Sequence, residues 1–131
     1  MEVIFDSSQQ VFHLRNQKLS YLIQLEGFGY VTHLYFGQRL EQYSGIAAYP
    51  RIHRDFEVES VEFGADVRDF SVGNLLYEYS QYNRGDFRHP ALVLRHADGS
   101  TVSDFRYDRH EIAAGSPTLE GLLHAKVDGG Q

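Results

Sequence analysis

Leu19-Ser20-Tyr21-Leu22-Ile23-Gln24-Leu25-Glu26-Gly27-Phe28-Gly29-Tyr30-Val31-Thr32-His33-Leu34-Tyr35-Phe36 carries the reading on which the fold depends. Leu19, Tyr21, Ile23 and Leu25 alternate with Ser20, Leu22 and Gln24, a period of two that places successive side chains on opposite faces of a strand. Gly27-Phe28-Gly29 interrupts the run with turn chemistry, and residues 30–36 resume it with β-branched and aromatic side chains. The spacing predicts strand, turn, strand. Upstream, residues 3–5 and 11–14 are short strand candidates separated by the polar Asp6-Ser7-Ser8-Gln9-Gln10 turn, so residues 1–37 read as a four-strand meander.

Downstream the pattern changes. Residues 37–54 hold Gly, Pro and isolated aromatics without a period, which predicts a long surface loop. Phe56 and Val58, then Val61 and Phe63, alternate on either side of a one-residue slip at Glu59-Ser60, the mark of a β-bulge. Residues 69–82, with Leu75-Leu76, Tyr77 and Tyr79, suit either an extended strand or one helical turn. Residues 91–96 and 101–107 flank Ala97-Asp98-Gly99-Ser100, and Asp98-Gly99 predicts a type I′ hairpin with two positive φ angles. Residues 111–113 are a further short pairing candidate, Gly115-Ser116-Pro117 a turn, and residues 127–131 a loose end. The expected class is all-β, an antiparallel β-sandwich.

Length and composition set the outer limits. With 131 residues, one domain is the default, and a 42% hydrophobic share including nine Tyr and nine Phe is enough to build a core. Lys and Arg are scattered singly in a chain of net charge -6, leaving no basic stripe for nucleic acid. No apolar run approaches the roughly 20 residues of a membrane span, and the opening has no export-signal pattern. The absence of cysteine rules out disulfides and thiolate metal sites and agrees with a cytoplasmic setting.

Candidate chemistry is sparse. His13, His33, His53, His89, His96, His110 and His124 show no paired ligand spacing, so structural or surface roles are favoured and no metal is implied. Glycoside hydrolysis needs two carboxylates roughly 5 to 9.5 Å apart across a sugar bond. Asp86, Asp104 and Asp108 lie near turns or strand ends, where carboxylates usually cap backbone amides. Arg88 could fork onto a carboxylate or a sugar hydroxyl; the plainer reading has Arg88 and Asp86 tying down the hairpin entry while Pro90 extends His89. Tyr77, Tyr79 and Tyr82 are candidates for stacking on a sugar ring, or core residues with a wet hydroxyl. No phosphate loop, nucleophile elbow or nucleophile–base spacing occurs.

An ordered set of blocks carries a resemblance. They are Phe12-His13-Leu14-Arg15, Ser20-Tyr21 with Gln24-Leu25, Gly29-Tyr30 with His33-Leu34-Tyr35-Phe36-Gly37, and Tyr49-Pro50-Arg51. Then follow Phe70-Ser71, Leu75-Leu76 with Glu78-Tyr79, Asp86-Phe87-Arg88 with Pro90-Ala91, Asp98-Gly99-Ser100-Thr101-Val102, Arg106-Tyr107 with His110, and Leu119-Glu120-Gly121-Leu122. Together they resemble the amino-terminal domain of bacterial α-galactosidases of glycoside hydrolase family 36, over residues 3–122.

The resemblance implies the first part of a β-supersandwich that precedes a (β/α)₈ barrel, with the two catalytic Asp residues of the retaining mechanism in the barrel. On this reading residues 1–122 form a non-catalytic module, 123–131 a divergent flexible tail, and no cofactor is required. The implied partners are the barrel, further copies of the chain in a homo-oligomer, and α-galactoside sugars. In the family, an acid in a Pro-Arg-x-Asp-Arg loop reaches the galactose pocket of a neighbouring subunit. Here the loop reads Pro50-Arg51-Ile52-His53-Arg54, so His53 occupies the acid position with Asp55 two residues on. His53, Arg54 and Asp55 are therefore the pocket-rim candidates, and Tyr82 and Arg88 the candidates for a separate sugar contact. The alternatives are a free-standing carbohydrate-binding β-sandwich or an inactive fragment.

Overall fold

The computed structural model describes residues 1–44, 70–82, 85–115 and 121. Four strands occupy the amino-terminal part: β1 (Glu2–Asp6), β2 (Val11–Arg15), β3 (Leu19–Leu25) and β4 (Val31–Gln38). They pair in chain order, each antiparallel to the next, which is the expected meander. Side chains build its turns. Asp6 Oδ1 accepts from the backbone N–H groups of Ser8 (2.8 Å) and Gln9 (3.1 Å), and Asn16 Oδ1 accepts from those of Lys18 and Leu19 at 2.8 Å each. Gly27–Gly29 forms a tight 3₁₀ turn between β3 and β4.

Alternation then sorts the two faces. On one, Val11, Leu22 and Leu34 are buried together, and Leu40 and Tyr43 fold back over them. Leu34 reaches this cluster because Leu22 pairs with Tyr35 and Ile23 with His33, which leaves Leu34 as an extra residue in β4. On the other face, Phe5 and Phe12 pack at 4.4 Å between ring centroids and are capped by the rings of Tyr107 and His110.

The segment after residue 70 combines both forms that its sequence allowed. Val72–Asn74 makes a 3₁₀ turn, and Tyr77 then pairs antiparallel with Thr32 on the free edge of β4. His33 N–H donates to Leu76 O (2.7 Å) and Glu78 N–H to Val31 O (3.1 Å). Tyr30, Phe70, Val72 and Leu75 form the second core cluster, with Tyr77 packed against it.

The hairpin differs from expectation. Gly99 has φ 86° but Asp98 is not among the positive-φ residues, so the turn is not type I′. Gly99 N–H donates to His96 O and His96 N–H to Ser100 O, both at 2.9 Å. This is a three-residue reversal with Gly99 in the left-handed position, a geometry that needs one positive φ instead of two. Its flanks form no strand ladder among the described residues; Ala91 N–H donates to Ser80 O, Ser103 N–H to Tyr82 O and Tyr107 N–H to Gly29 O. Residues 111–113 likewise carry no β-pairing. The Glu59-Ser60 bulge, the rest of the long loop and residues 122–131 lie outside the described residues. No described helix is long and apolar enough to cross a membrane.

Candidate functional site

The block at 85–90 folds around Arg88. Its Nε donates to Asp86 Oδ1 at 2.7 Å, Nη1 to Leu75 O at 2.5 Å and Nη2 to Val72 O at 3.3 Å, while the guanidinium lies 4.9 Å from the Tyr77 ring centroid. Asp86 is 1% exposed, so a neighbouring cation is what makes its burial tolerable. Gly85 permits the approach: its φ is 94°, and a Cβ there would stand 2.9 Å from Val72 Cγ2. The geometry matches the tie-down reading of Arg88 and Asp86. Arg88 retains partial exposure on its outer side.

The three tyrosines separate. Tyr77 joins the core, whereas Tyr79 and Tyr82 remain about half exposed. Tyr82 meets the Phe87 ring edge-on at 6.5 Å, and Phe87 is 80% exposed, so an aromatic pair stands at the surface beside Arg88. Next to Tyr82 in the chain, Gln81 is 1% exposed; its Nε2 donates to Phe105 O at 3.2 Å and its Oε1 accepts from Phe105 N–H. Nothing in the local sequence singles out Gln81, because its partner is 24 residues away.

Arg106 holds Asp104 and Arg109 holds Asp108, at 2.6 and 2.9 Å, which are ion pairs instead of the amide caps expected there. Five of the seven histidines are described, each in a hydrogen bond. His13 Nε2 meets Ser20 Oγ (2.8 Å), His89 and His96 meet the carbonyls of Pro90 and Val102 (3.0 Å each), and His110 meets the Tyr107 hydroxyl (2.7 Å). His33 Nδ1 lies 2.9 Å from Glu78 Oε1, and the Tyr21 hydroxyl donates to Glu78 Oε2. Burial first, then Glu78, pushes the Tyr21 phenol up to about 12. This Tyr–Glu–His clasp fastens the 75–79 segment to β3 and β4, and sequence reading missed it because 57 positions separate Tyr21 from Glu78. Among the described residues, no three His, Asp or Glu side chains converge to hold a metal. His53, Arg54, Asp55 and His124 lie outside the described residues.

Polar side chains here fasten the 70–115 segment to itself and to the four-stranded sheet of an all-β domain. Residues 29–130 match the glycosyl hydrolase family 36 N-terminal domain. The chain is 41% identical over 128 residues to the α-galactosidase AgaA of Geobacillus stearothermophilus, covering 98% of this chain and 17% of that protein. It is 39% identical over 126 residues to α-galactosidase 1 of Pediococcus pentosaceus, covering 96% and 17% respectively. The crystal structure of the GH36 α-galactosidase AgaB from Geobacillus stearothermophilus matches with a TM-score of 0.80 at 37% identity, over 98% of this chain and 17% of that one. The chain belongs to the glycosyl hydrolase family 36 N-terminal domain family, and its fold is the all-β antiparallel sandwich of that domain. It spans 17% of the length of these relatives.

Proposed function

We propose that this chain is the non-catalytic amino-terminal module of a cytoplasmic α-galactosidase. In this reading it packs on a catalytic barrel, takes part in a homo-oligomer, and carries His53, Arg54 and Asp55 toward the rim of an α-galactoside pocket in a neighbouring subunit. One observation carries the proposal: identity near 40% runs through almost the whole chain, yet the matched relatives continue for most of their length elsewhere. The chemistry then belongs to the larger remainder.

The test joins the chain to the remaining portion of a close relative and follows a chromogenic α-galactoside. We expect hydrolysis by the joined protein, none by the 131-residue chain, and a raised KM when His53 and Asp55 are both replaced by Ala. Turnover by the isolated chain would overturn the assignment. The exposed Tyr82 and Phe87 pair supports a second reading, a free-standing sugar-binding module. Saturable binding of raffinose lost in Tyr82→Ala would favour it.

A further inference from the structure

The sheet face away from the Phe5 and Phe12 cluster carries a cleft of about 390 Å³ that the family role leaves unused. Ile4, Val11 and His13 line it from β1 and β2, and Glu41, Gln42 and Tyr43 from the segment that folds back over the sheet. The size is at the lower end of ligand-sized clefts and suits one sugar ring better than a chain of them.

Hydrogen bonding fixes what the cleft presents. Ser20 is fully buried, and its Oγ accepts from the Leu40 N–H at 2.9 Å. Among the described residues that hydroxyl meets no acceptor other than His13 Nε2, 2.8 Å away, and a fully buried hydroxyl hydrogen left unbonded is costly, so it goes to Nε2 and Nδ1 carries the ring proton. Burial above all, with Arg15 nearby, holds the His13 pKa below the usual histidine value and keeps the ring neutral. His13 lines the cleft and has no second bond among the described residues, which leaves Nδ1–H as a donor there.

Charge does not select the ligand. Arg39 pairs with Glu41 (3.3 Å) and Arg15 with Glu2 (2.7 Å). Both oxygens of Asp6 accept from Ser8 and Gln9, and Gln9 Nε2 also donates to Tyr43 O, which fixes its amide and leaves Oε1 as an acceptor. What remains is a mixed set of donors and acceptors, its one carboxylate balanced by Arg39, above an apolar floor. We propose that this cleft binds a monosaccharide, with a C–H face of the sugar on Ile4 and Val11. His13 Nδ1–H and the Gln42 amide donate to its hydroxyls, and Gln9 Oε1 and the Glu41 carboxylate accept from them.

The test titrates galactose and glucose into the ¹⁵N-labelled chain. Expected are saturable shifts at Ile4, Gln9, His13 and Gln42, with a dissociation constant of about 1–10 mM, and a His13 ring protonated at Nδ1. Gln42→Ala, an exposed change that spares the core, weakens binding about three- to tenfold. Ile4→Trp, which fills the cleft from a part-exposed strand position, abolishes it. Absence of saturable shifts at about 100 mM of either sugar, unchanged affinity in a folded Ile4→Trp chain, or shifts confined to Tyr82 and Phe87 would overturn the site. Such a result leaves the module assignment standing, since hydrolysis by the joined protein tests that separately.

Discussion

Residues 2–38 close each strand on its neighbour through continuous backbone ladders, whereas residues 70–115 reach the sheet through isolated backbone bonds and side-chain clasps. The first region's order is local, because each strand pairs with the next one in the chain. The second depends on partners far away: Glu78 on Tyr21 and His33, Arg88 on the carbonyls of Val72 and Leu75, Tyr107 on Gly29. A ladder distributes stability over many modest bonds, while a clasp concentrates it in one side chain whose loss leaves buried groups without partners. The two regions should therefore fail in different ways.

Leu22→Ala is the strongest way to break the contrast. Leu22 is fully buried between Val11 and Leu34, and truncation should cost about 3–5 kcal/mol by lost transfer energy and the cavity left behind. Urea unfolding should show one cooperative transition moved to lower denaturant, with both regions lost together, since the second layer has no sheet to dock on. A loss below about 1 kcal/mol would mean that Leu40 and Tyr43 collapse into the gap and that the ladder is not the organising element.

Arg88→Ala is the sharper and smaller test. It leaves Asp86 buried without its guanidinium and removes donors from two carbonyls. Removing one partner of a buried pair costs about 3–5 kcal/mol, and the partial exposure of Arg88 brings the expectation to about 2–3 kcal/mol. Hydrogen exchange should quicken at residues 75–82 and 103–107 while the β2 and β3 amides keep their protection. Equal acceleration in β2 and β3 would show that the two regions open as a single unit.

The same contrast explains how far the sequence could be read. Period-two alternation and polar turns revealed all four strands, because both signals lie within a few residues of what they specify. The Leu34 bulge left no local mark, since it follows from two neighbouring residues both being drawn toward the Val11–Leu22 cluster. Asp98-Gly99 correctly marked a reversal, but the number of positive φ angles depends on how the flanks pair, and here they make no ladder. Arg88 was legible as a clamp because Asp86 is two residues away. The Tyr21–Glu78–His33 clasp and Gln81 were not, since a side chain that reaches across the fold shows no spacing along it.

The smallest expected effect tests the turn that starts the ladder. Asp6 accepts from Ser8 and Gln9, and these bonds hold its carboxyl at about 2, below the ordinary 3.8. A depressed folded-state value means that the folded chain binds its proton less readily than the unfolded chain does. Its stabilisation is therefore complete above pH 3.8 and is lost as pH falls through about 2. Glu2 and Asp98 are lowered too, so the wild-type curve alone sums several carboxyls. The difference between wild type and Asp6→Asn isolates the one that matters, because the Asn Oδ1 keeps the acceptor for both turn amides while its NH2 replaces the oxygen that accepts from Gln9 Nε2. Thermal melts should place the variant modestly below wild type at pH 6, with the gap closing toward pH 2. A gap that stays constant across that range would assign the role of Asp6 to shape alone, and would mean that the turn entering the sheet does not depend on the charge it carries.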